Sequence, residues 1–375
     1  MPQNNWSEFD CDCMEKAIAL AEQGRGQVSP NPPVGCVLVK DGEIIAQGWH
    51  DHLGGLHAEQ MAIANAEKNG ISPNGSIAFV TLEPCNHYGR TPPCTEALLW
   101  AGVKSVIVAH EDPNPNVRGG GIETLKDAGV NVQTGLLKDS AAHQMQSFLN
   151  WCKNRIPLVT LKLALDKNGS VGSNSAESIR FTSNKSLELV HKLRRQVDAI
   201  IVGVDTVVKD DPKLTIRHVD IGLKKQPIRV VLDPTLRTPS NSELIIDENE
   251  TILIHKSENN SYNEGNNVKT VYIKPNEYGI IEPENILSML GDSGMQEVMI
   301  EGGPKTVEHF IKSRNIDRAI IVNSNIEFED PISSGISTEL LINLGLIKLE
   351  EKTIEGDLVE YWSKDNLPWP YLDWP

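Results

Sequence analysis

At 375 residues, with 39% apolar and 23% charged side chains, the chain exceeds one typical domain and has an ordinary globular mixture. Two cores are therefore expected, and the composition is neither that of a disordered nor that of a membrane protein. Lys and Arg number 35 against 51 Asp and Glu, a net charge of −16 that repels a phosphate backbone, so nucleic acid is not an expected partner.

The acidic start, MPQNNWSEFDCDC, has no apolar core and few cations, so neither a signal nor a transit peptide is expected. No stretch nears about 18 uninterrupted apolar residues, so no membrane span is expected either, and the cytoplasm is the expected compartment. Six Cys in a chain this long read as metal ligands or core thiols, not as a disulfide scaffold. Apolar residues at helical spacing in DCMEKAIALAEQG predict a helix over 10–23, ending at Gly24. VGCVLVK and EIIAQGWH flank Asp41-Gly42, a strong hairpin signal, so two antiparallel strands follow. HAEQMAIANAEKN predicts a helix over 57–69 stopped by Gly70, and SIAFVTL a buried strand. A helix after Cys94 (TEALLWA), the strand KSVIVA, the helix GIETLKDAG and the short strand VNVQT continue the alternation. An amphipathic stretch over 138–152 completes a first α/β domain, 1–153, and Pro157 opens a second, 157–375.

In that second half LVTLKLAL, AIIVG, IRVVLD, TILIH, TVYIK, VMIEG and AIIV read as strands and NKSLELVHKLRRQ as a helix, again α/β. The Asn-, Ser- and Glu-rich stretch between Asp247 and Asn267 is expected to be exposed connection of little core value. Gly302-Gly303, between a strand and a helix, would turn backbone N–H groups toward a phosphate, a weak signal when alone. Arg194 and Arg217 carry forked cations suited to a phosphate, although a surface Arg is more often solvated. The Trp-Pro-rich tail, WPYLDWP, is expected to pack.

The sharpest signal is His57-Ala58-Glu59 at a predicted helix start, followed by Pro84-Cys85 and then by Cys94. One imidazole and two thiolates suit zinc over magnesium or calcium, and three protein ligands leave the open fourth position of a catalytic zinc. Zinc lowers the pKa of a coordinated water from about 15.7 toward about 7. Glu59, two residues from the histidine, would carry a proton from that water to a ring nitrogen and to departing ammonia. His57 and Cys94 fall near helix N-termini, where the dipole favours anions. Any one of these side chains alone is usually structural. Cys11 and Cys13 point apart on a helix, and Cys36 and Cys152 read as core thiols. His87 is the nearest rival to His57 as a ligand, but no glutamate accompanies it.

General zinc deaminases carry H-x-E and P-C-x-x-C, whereas eight residues, NHYGRTPP, separate the cysteines here. That insert in TLEPCNHYGRTPPC, together with NPPVGCVLV and AGVKSVIVAHEDPNP, resembles the deaminase half of the bifunctional riboflavin-biosynthesis deaminase-reductases, the RibD family. The resemblance covers most of residues 10–150. It implies a cytidine-deaminase-like fold, zinc on His57, Cys85 and Cys94, and Glu59 as the catalytic residue. The implied reaction is hydrolytic removal of the exocyclic amine from a ribosylated 2,5-diamino-pyrimidinone 5′-phosphate. Asn31 resembles a residue that such folds use near the sugar; a turn Asn between two prolines is almost as good a reading. LGGLHAE lacks the proline usual just before the histidine.

The resemblance continues through TLKLALDKNGSVG, AESIRFTS, LRRQVDAIIVGVDTVVKDDPKLTIR and VMIEGGPKTVEHF, in the order of the reductase half, whose fold is like dihydrofolate reductase. It implies hydride transfer from NADPH that opens the ribose of the deaminated product into a ribityl chain. The substrate contacts it implies are Lys162, Ser178, Arg194, Leu214, Arg217 and Glu301. The cofactor contacts are Ala164, Arg180, Thr206, Asp210 and the run Gly303, Pro304, Lys305, Thr306, Val307, Glu308 and His309. A homo-oligomer with a small phosphorylated pyrimidine as substrate is expected. The chain departs from the family at Asp166-Lys167-Asn168-Gly169, where Ser-Leu-Asp-Gly is usual. After 319–322 the usual Asp-Glu and Pro-Lys-Leu-Leu-Gly features are hard to find. These departures leave open an active deaminase whose reductase-like domain does no catalysis. A zinc-stabilised binding protein without turnover is argued against by Glu59, and a nucleic-acid deaminase by net charge and the attached second domain.

Overall fold

The computed structural model describes residues 6–88, 92–114, 120–174, 180–222, 225–258, 262, 267–367 and 369. The chain falls into two units, Met1–Asn154 and Arg155–Pro375. In the first, the Ser7 hydroxyl and the Asp10 carboxylate form a reciprocal capping box that starts helix α1 (Glu8–Gln23). Strands β1 (Gly35–Lys40) and β2 (Glu43–Trp49) pair antiparallel across Asp41 and Gly42, whose φ of 52° and 82° suit a two-residue hairpin. Then come α2 (Ala58–Lys68), β3 (Ile77–Leu82), α3 (Cys94–Trp100), β4 (Ser105–His110), α4 (Gly121–Asp127) and β5 (Asn131–Thr134). The sheet order is β2-β1-β3-β4-β5, with β3, β4 and β5 parallel because a helix connects each to the next.

Alternation along the strands gives each face its own core. Val37, Phe79 and Ile107 meet Met14, Ala17 and Ile18 of α1 on one side; Leu38, Val80 and Val106 meet Ala62, Leu98 and Leu125 on the other. The amphipathic stretch expected over 138–152 forms two helices, α5 (Lys138–Gln144) and α6 (Gln146–Asn154). Met145 between them is fully buried with φ −103°, so the second helix restarts with Phe148 and Cys152 turned into the core.

The second unit contains β6 (Leu158–Leu165), β7 (Ser170–Ser173), α7 (Asn184–Gln196), β8 (Ala199–Gly203), α8 (Val204–Asp210), β9 (Ile228–Leu232) and α9 (Glu243–Ile246). It continues with β10 (Thr251–His255), β11 (Val268–Tyr272), α10 (Pro283–Asp292), β12 (Glu297–Ile300), α11 (Pro304–Lys312) and β13 (Arg318–Asn323). It ends with β14 (Pro331–Ser333), α12 (Thr338–Asn343), β15 (Leu346–Ile354) and β16 (Asp357–Lys364). Nine strands form one sheet, β11-β10-β9-β8-β12-β6-β13-β16-β15, parallel as far as β13. The run Ala-Ile-Ile-Val occurs in both β8 and β13 and is buried throughout, as strands covered on both faces require.

Two expectations are corrected here. The polar stretch between Asp247 and Asn267 is not all exposed connection: the run TILIH within it, read as a strand from sequence, forms β10 between β9 and β11 with Leu253 and Ile254 fully buried. Five β-prone residues suffice for an interior parallel strand, and the polar composition belongs to its flanks. Residues 323–367 form structure that the sequence did not reveal: β16 pairs antiparallel with β13, and β15 forms the sheet edge. Trp369 of the tail is buried, its indole N–H donating to the Trp362 carbonyl and its ring 5.0 Å from the Arg318 guanidinium. Residues 370–375 lie outside the described residues. No helix among the described residues is long and apolar enough to cross a membrane.

Candidate functional site

In the first unit three metal-ligating side chains converge. His57 is the N-cap residue of α2, Cys94 the first residue of α3, and Cys85 lies in the loop that leaves β3. Their ligand atoms all lie within 4.8 Å of one another. His57 Nδ1 is 3.5 Å from Cys85 Sγ and 3.3 Å from Cys94 Sγ. Zn–S and Zn–N bonds of about 2.3 and 2.0 Å at tetrahedral angles put N and S ligands about 3.5 Å apart, so this donor set has the spacing and softness for zinc. The Cys94 hydrogen bond first, and the His57 contact after it, pull the Cys85 thiol down to about 4. His87 lines the same cavity but stands outside the cluster.

Glu59, in the first turn of α2, is buried and faces the cluster's cavity. Close packing of α2 on β2 holds it there. A Cβ on Gly48 would lie 2.4 Å from the Ala58 carbonyl oxygen and the Ala62 nitrogen, so the helix rests on bare backbone. Burial, then the neighbouring Cys85, push the Glu59 carboxyl up to about 7, with His57 opposing. The carboxyl therefore exchanges protons readily near neutral pH.

The cavity has a volume of about 530 Å³, and Asn31, His50, Glu83, Asp112, Asn114, Phe148 and Trp151 also line it. His50 Nδ1 donates to the Leu56 carbonyl, which fixes Nε2 as the acceptor facing Asn31 Nδ2 at 3.1 Å. Burial lowers the pKa of His50, so it is held neutral. The candidate Asn31 thus stands at the cavity with its amide oriented. His50, Asp112, Asn114, Phe148 and Trp151 were not singled out from sequence. They come from three separate segments, and only the run EDPNPN carried any motif signal.

A second cavity, about 550 Å³, opens in the other unit at the carboxyl ends of β6, β8 and β12, where open parallel sheets bind ligands. It brings together Lys162, Ala164, Thr206, Asp210, Glu301, Gly303 and Pro304 of the sequence candidates. Gly302 and Gly303 sit at the N-terminus of α11, and the Gly303 N–H donates to Thr206 Oγ1. A Cβ on Gly302 would lie 2.6 Å from Thr306 Cβ and one on Gly203 2.4 Å from Thr306 Oγ1, so these turns pack as bare backbone. Such a cradle suits the phosphates of a dinucleotide. Lys209, Phe181, Phe328 and Ile332 complete the wall and were not predicted. Phe328 packs edge-on against Phe181 at 5.0 Å, and both Phe328 and Ile332 belong to the stretch that matched no family feature.

Behind this cavity lies a dense charge cluster. Arg194 grips Glu301 with two hydrogen bonds, 2.7 and 2.9 Å, and gives a third to the Thr215 carbonyl. Burial would raise the Glu301 carboxyl, but Arg194 and then Lys162 hold it down at about 2. Burial lowers the Lys162 ammonium pKa. Arg217 donates its backbone N–H to His191 Nδ1 and its guanidinium to Thr215 Oγ1. Leu214 is buried beside them at φ 51°, a left-handed conformation costly for a branched side chain.

Other candidates do not line the cavity. Arg180 pairs with Asn184, and Lys305 is exposed on Asp205. Val307 is core, Glu308 pairs with Lys312 in solvent, and His309 Nε2 contacts the Ile281 carbonyl. Thr306 packs behind the glycines. Ser178 lies outside the described residues. The departure at Asp166 is a buried turn: its carboxylate accepts the N–H groups of Asn168, Ser170 and Phe328.

Comparison with known proteins follows the same division. A family described as the cytidine and deoxycytidylate deaminase zinc-binding region matches residues 7–110, and one described as the RibD C-terminal domain matches residues 157–324. The chain is 37% identical to the riboflavin biosynthesis protein RibD of Aquifex aeolicus over 92% of this chain and 93% of that protein. It is 35% identical to the Escherichia coli protein of the same name, over 82% and 85% of the two chains. Among solved structures it is similar to a diaminohydroxyphosphoribosylaminopyrimidine deaminase/5-amino-6-(5-phosphoribosylamino)uracil reductase from Thermotoga maritima. That similarity has a TM-score of 0.82 at 32% identity and covers 95% of this chain and 99% of the other.

Proposed function

The chain belongs to the RibD family of riboflavin-biosynthesis proteins, and on that premise we propose that its two cavities act in series on one phosphorylated ribosyl-pyrimidine. The enzyme is bifunctional, a deaminase and a reductase, with zinc and NADPH as its cofactors. We assign the deaminase to residues 1–153 and the reductase to 157–375. The observation that carries the first assignment is the convergence of His57, Cys85 and Cys94 with the buried Glu59 on one cavity.

His57, Cys85 and Cys94 would hold the zinc, which supplies a water acidified enough to act as nucleophile near neutral pH. Glu59 would carry one proton of the water to the ring nitrogen and then the second to the departing amine, the water oxygen replacing the amine on the ring carbon and the amine leaving as ammonia. Its burial, which raises the proton affinity of the carboxyl above the ordinary carboxylate range, suits it to both transfers. Asn31, locked against His50, holds the ribosyl part, and Phe148 and Trp151 give the cavity an apolar wall suited to the flat base.

In the second unit the Gly302-Gly303 turn and the start of α11 would hold the phosphates of NADPH, which would supply the hydride. Ala164, Thr206 and Asp210 line its site. Lys162, destabilised as an ammonium by burial, is suited to give a proton to the ribose oxygen as the ring opens. Arg194 orients Glu301, and Arg217 offers its guanidinium to the 5′-phosphate. Lys305, Glu308 and His309 sit at the outer side of α11 and contribute little. We further place the enzyme in the cytoplasm as a homo-oligomer without nucleic-acid or membrane partners, which light scattering on the purified protein and fractionation of cells would check.

The decisive experiment supplies the diaminopyrimidinone ribotide and NADPH to purified protein and follows ammonia release and NADPH oxidation in one tube. Both signals are expected. Ammonia without NADPH oxidation would reduce the second unit to a scaffold, and the absence of both would sink the substrate assignment.

A further inference from the structure

One wall of the deaminase cavity, Asp112–Asn114, belongs to neither helix nor strand. Glu83, two residues before Cys85, reaches across to it from the end of β3. Its buried carboxylate accepts the Asp112 N–H at 3.2 Å on Oε2, and the Gly121 and Ile122 N–H groups at 3.1 and 3.2 Å on Oε1. The Glu83 backbone N–H donates to the His110 carbonyl, carrying the β3–β4 ladder one step past the strands. On the far side Asn114 N–H closes back on Asp112 Oδ1 at 2.8 Å. Gly121 is pressed so closely that a Cβ there would lie 1.9 Å from the Pro84 carbonyl oxygen. One side chain therefore ties the start of the metal-ligating loop, the start of α4 and the cavity wall into a single unit.

We propose that Glu83 is a positioning residue for deamination, acting through the Asp112–Asn114 segment to set the distance between that wall and the metal-ligating loop. The inference rests on the deaminase reading of this cavity. A carboxylate is the side chain the arrangement demands, because it offers only acceptors to three converging donors. A carboxamide of the same size must turn its NH2 toward at least one of those N–H groups, which leaves a buried donor unpaired and frees the segment it held.

The test is E83Q in the full-length zinc enzyme, with the diaminopyrimidinone ribotide as substrate. The expected result is a KM raised about tenfold, the size of one unpaired buried donor, with kcat changed less than about threefold. Zinc stoichiometry stays at the wild-type value, and NADPH oxidation with the deaminated ribotide runs at the wild-type rate, which shows an intact second unit. Amide exchange speeds up at Asp112 or at Gly121 and Ile122 while β3 and β4 stay protected. A wild-type KM, or a loss confined to kcat together with zinc, overturns the proposal. Should E83Q fail to fold, E83D, which keeps the charge but shortens the reach, faces the same KM criterion. Wild-type protein that releases no ammonia would instead sink the deaminase reading itself.

Discussion

The two cavities place their chemistry differently. The first concentrates it: ligand atoms from two helix starts and the loop after β3 meet within 4.8 Å, and a buried carboxyl stands beside them. The second disperses it over residues 162 to 304, and its strongest groups are engaged with one another, Arg194 with Glu301 and Arg217 with Thr215. A metal demands donors at bond length, so it leaves a tight and distinctive pattern in the chain. A hydride-transfer site asks the protein mainly to hold two molecules side by side, which many arrangements of contacts achieve.

The largest expected contrast comes from the metal. Cys85→Ser, or dialysis against a chelator, should abolish ammonia release while NADPH oxidation with the deaminated ribotide continues; loss of both activities would mean that the units do not function separately. Glu59→Gln comes next, lowering ammonia release by roughly a hundred- to ten-thousandfold with zinc retained, as metal analysis would verify. In the second unit Glu301→Gln leaves Arg194 buried without its partner, which costs about 3 to 5 kcal/mol. Urea unfolding should show that loss in the second unit while ammonia release persists, and an unchanged midpoint would refute the buried-pair reading.

A smaller effect follows from His191. Burial, with Arg194, Arg217 and His218 around it, lowers its pKa from 6.5 to about 3. Between those values the unfolded chain binds a proton that the folded chain does not, so stability falls as pH drops from 6.5 toward 3, by at most about 1.4 kcal/mol per pH unit for this one group. Urea midpoints for loss of NADPH oxidation at pH 7 and pH 5 would check the slope, and His191→Gln should flatten it. The smallest effect is expected for Glu308→Ala, whose pairing with Lys312 is a solvent-exposed contact: affinity for NADPH, followed by fluorescence titration, should change less than about twofold. A larger change would bring the outer face of α11 into the cofactor site.

How much was legible beforehand follows the same contrast. His57, Glu59, Cys85 and Cys94 were readable because their residue types are chemically restrictive and two short motifs carry them. His50, Asp112, Phe148 and Trp151 were not, because each is an ordinary residue whose meaning comes from facing a shared cavity. In the second half Lys162, Thr206 and Glu301 were found; Lys209 and Phe181 stand beside named candidates but are ordinary residue types, and Phe328 lies far from them along the chain. The C-terminal strands escaped because β15 is an edge strand with many exposed polar residues and no clean alternation.

By itself the sequence determined two α/β units, the strand and helix alternation in each, and a histidine, a glutamate and two cysteines suited to zinc. Local periods of 2 and 3.6 residues and the donor chemistry of single side chains suffice for that. Only the tertiary structure decided which strands neighbour which, that Arg194 is held by Glu301, that Val307 and His309 turn away from the second cavity, and that Glu83 binds the Asp112 N–H of the first cavity's wall. Those outcomes depend on pairings between residues far apart in the chain, where the cost of leaving a buried charge or N–H unpaired selects one arrangement that no local pattern encodes.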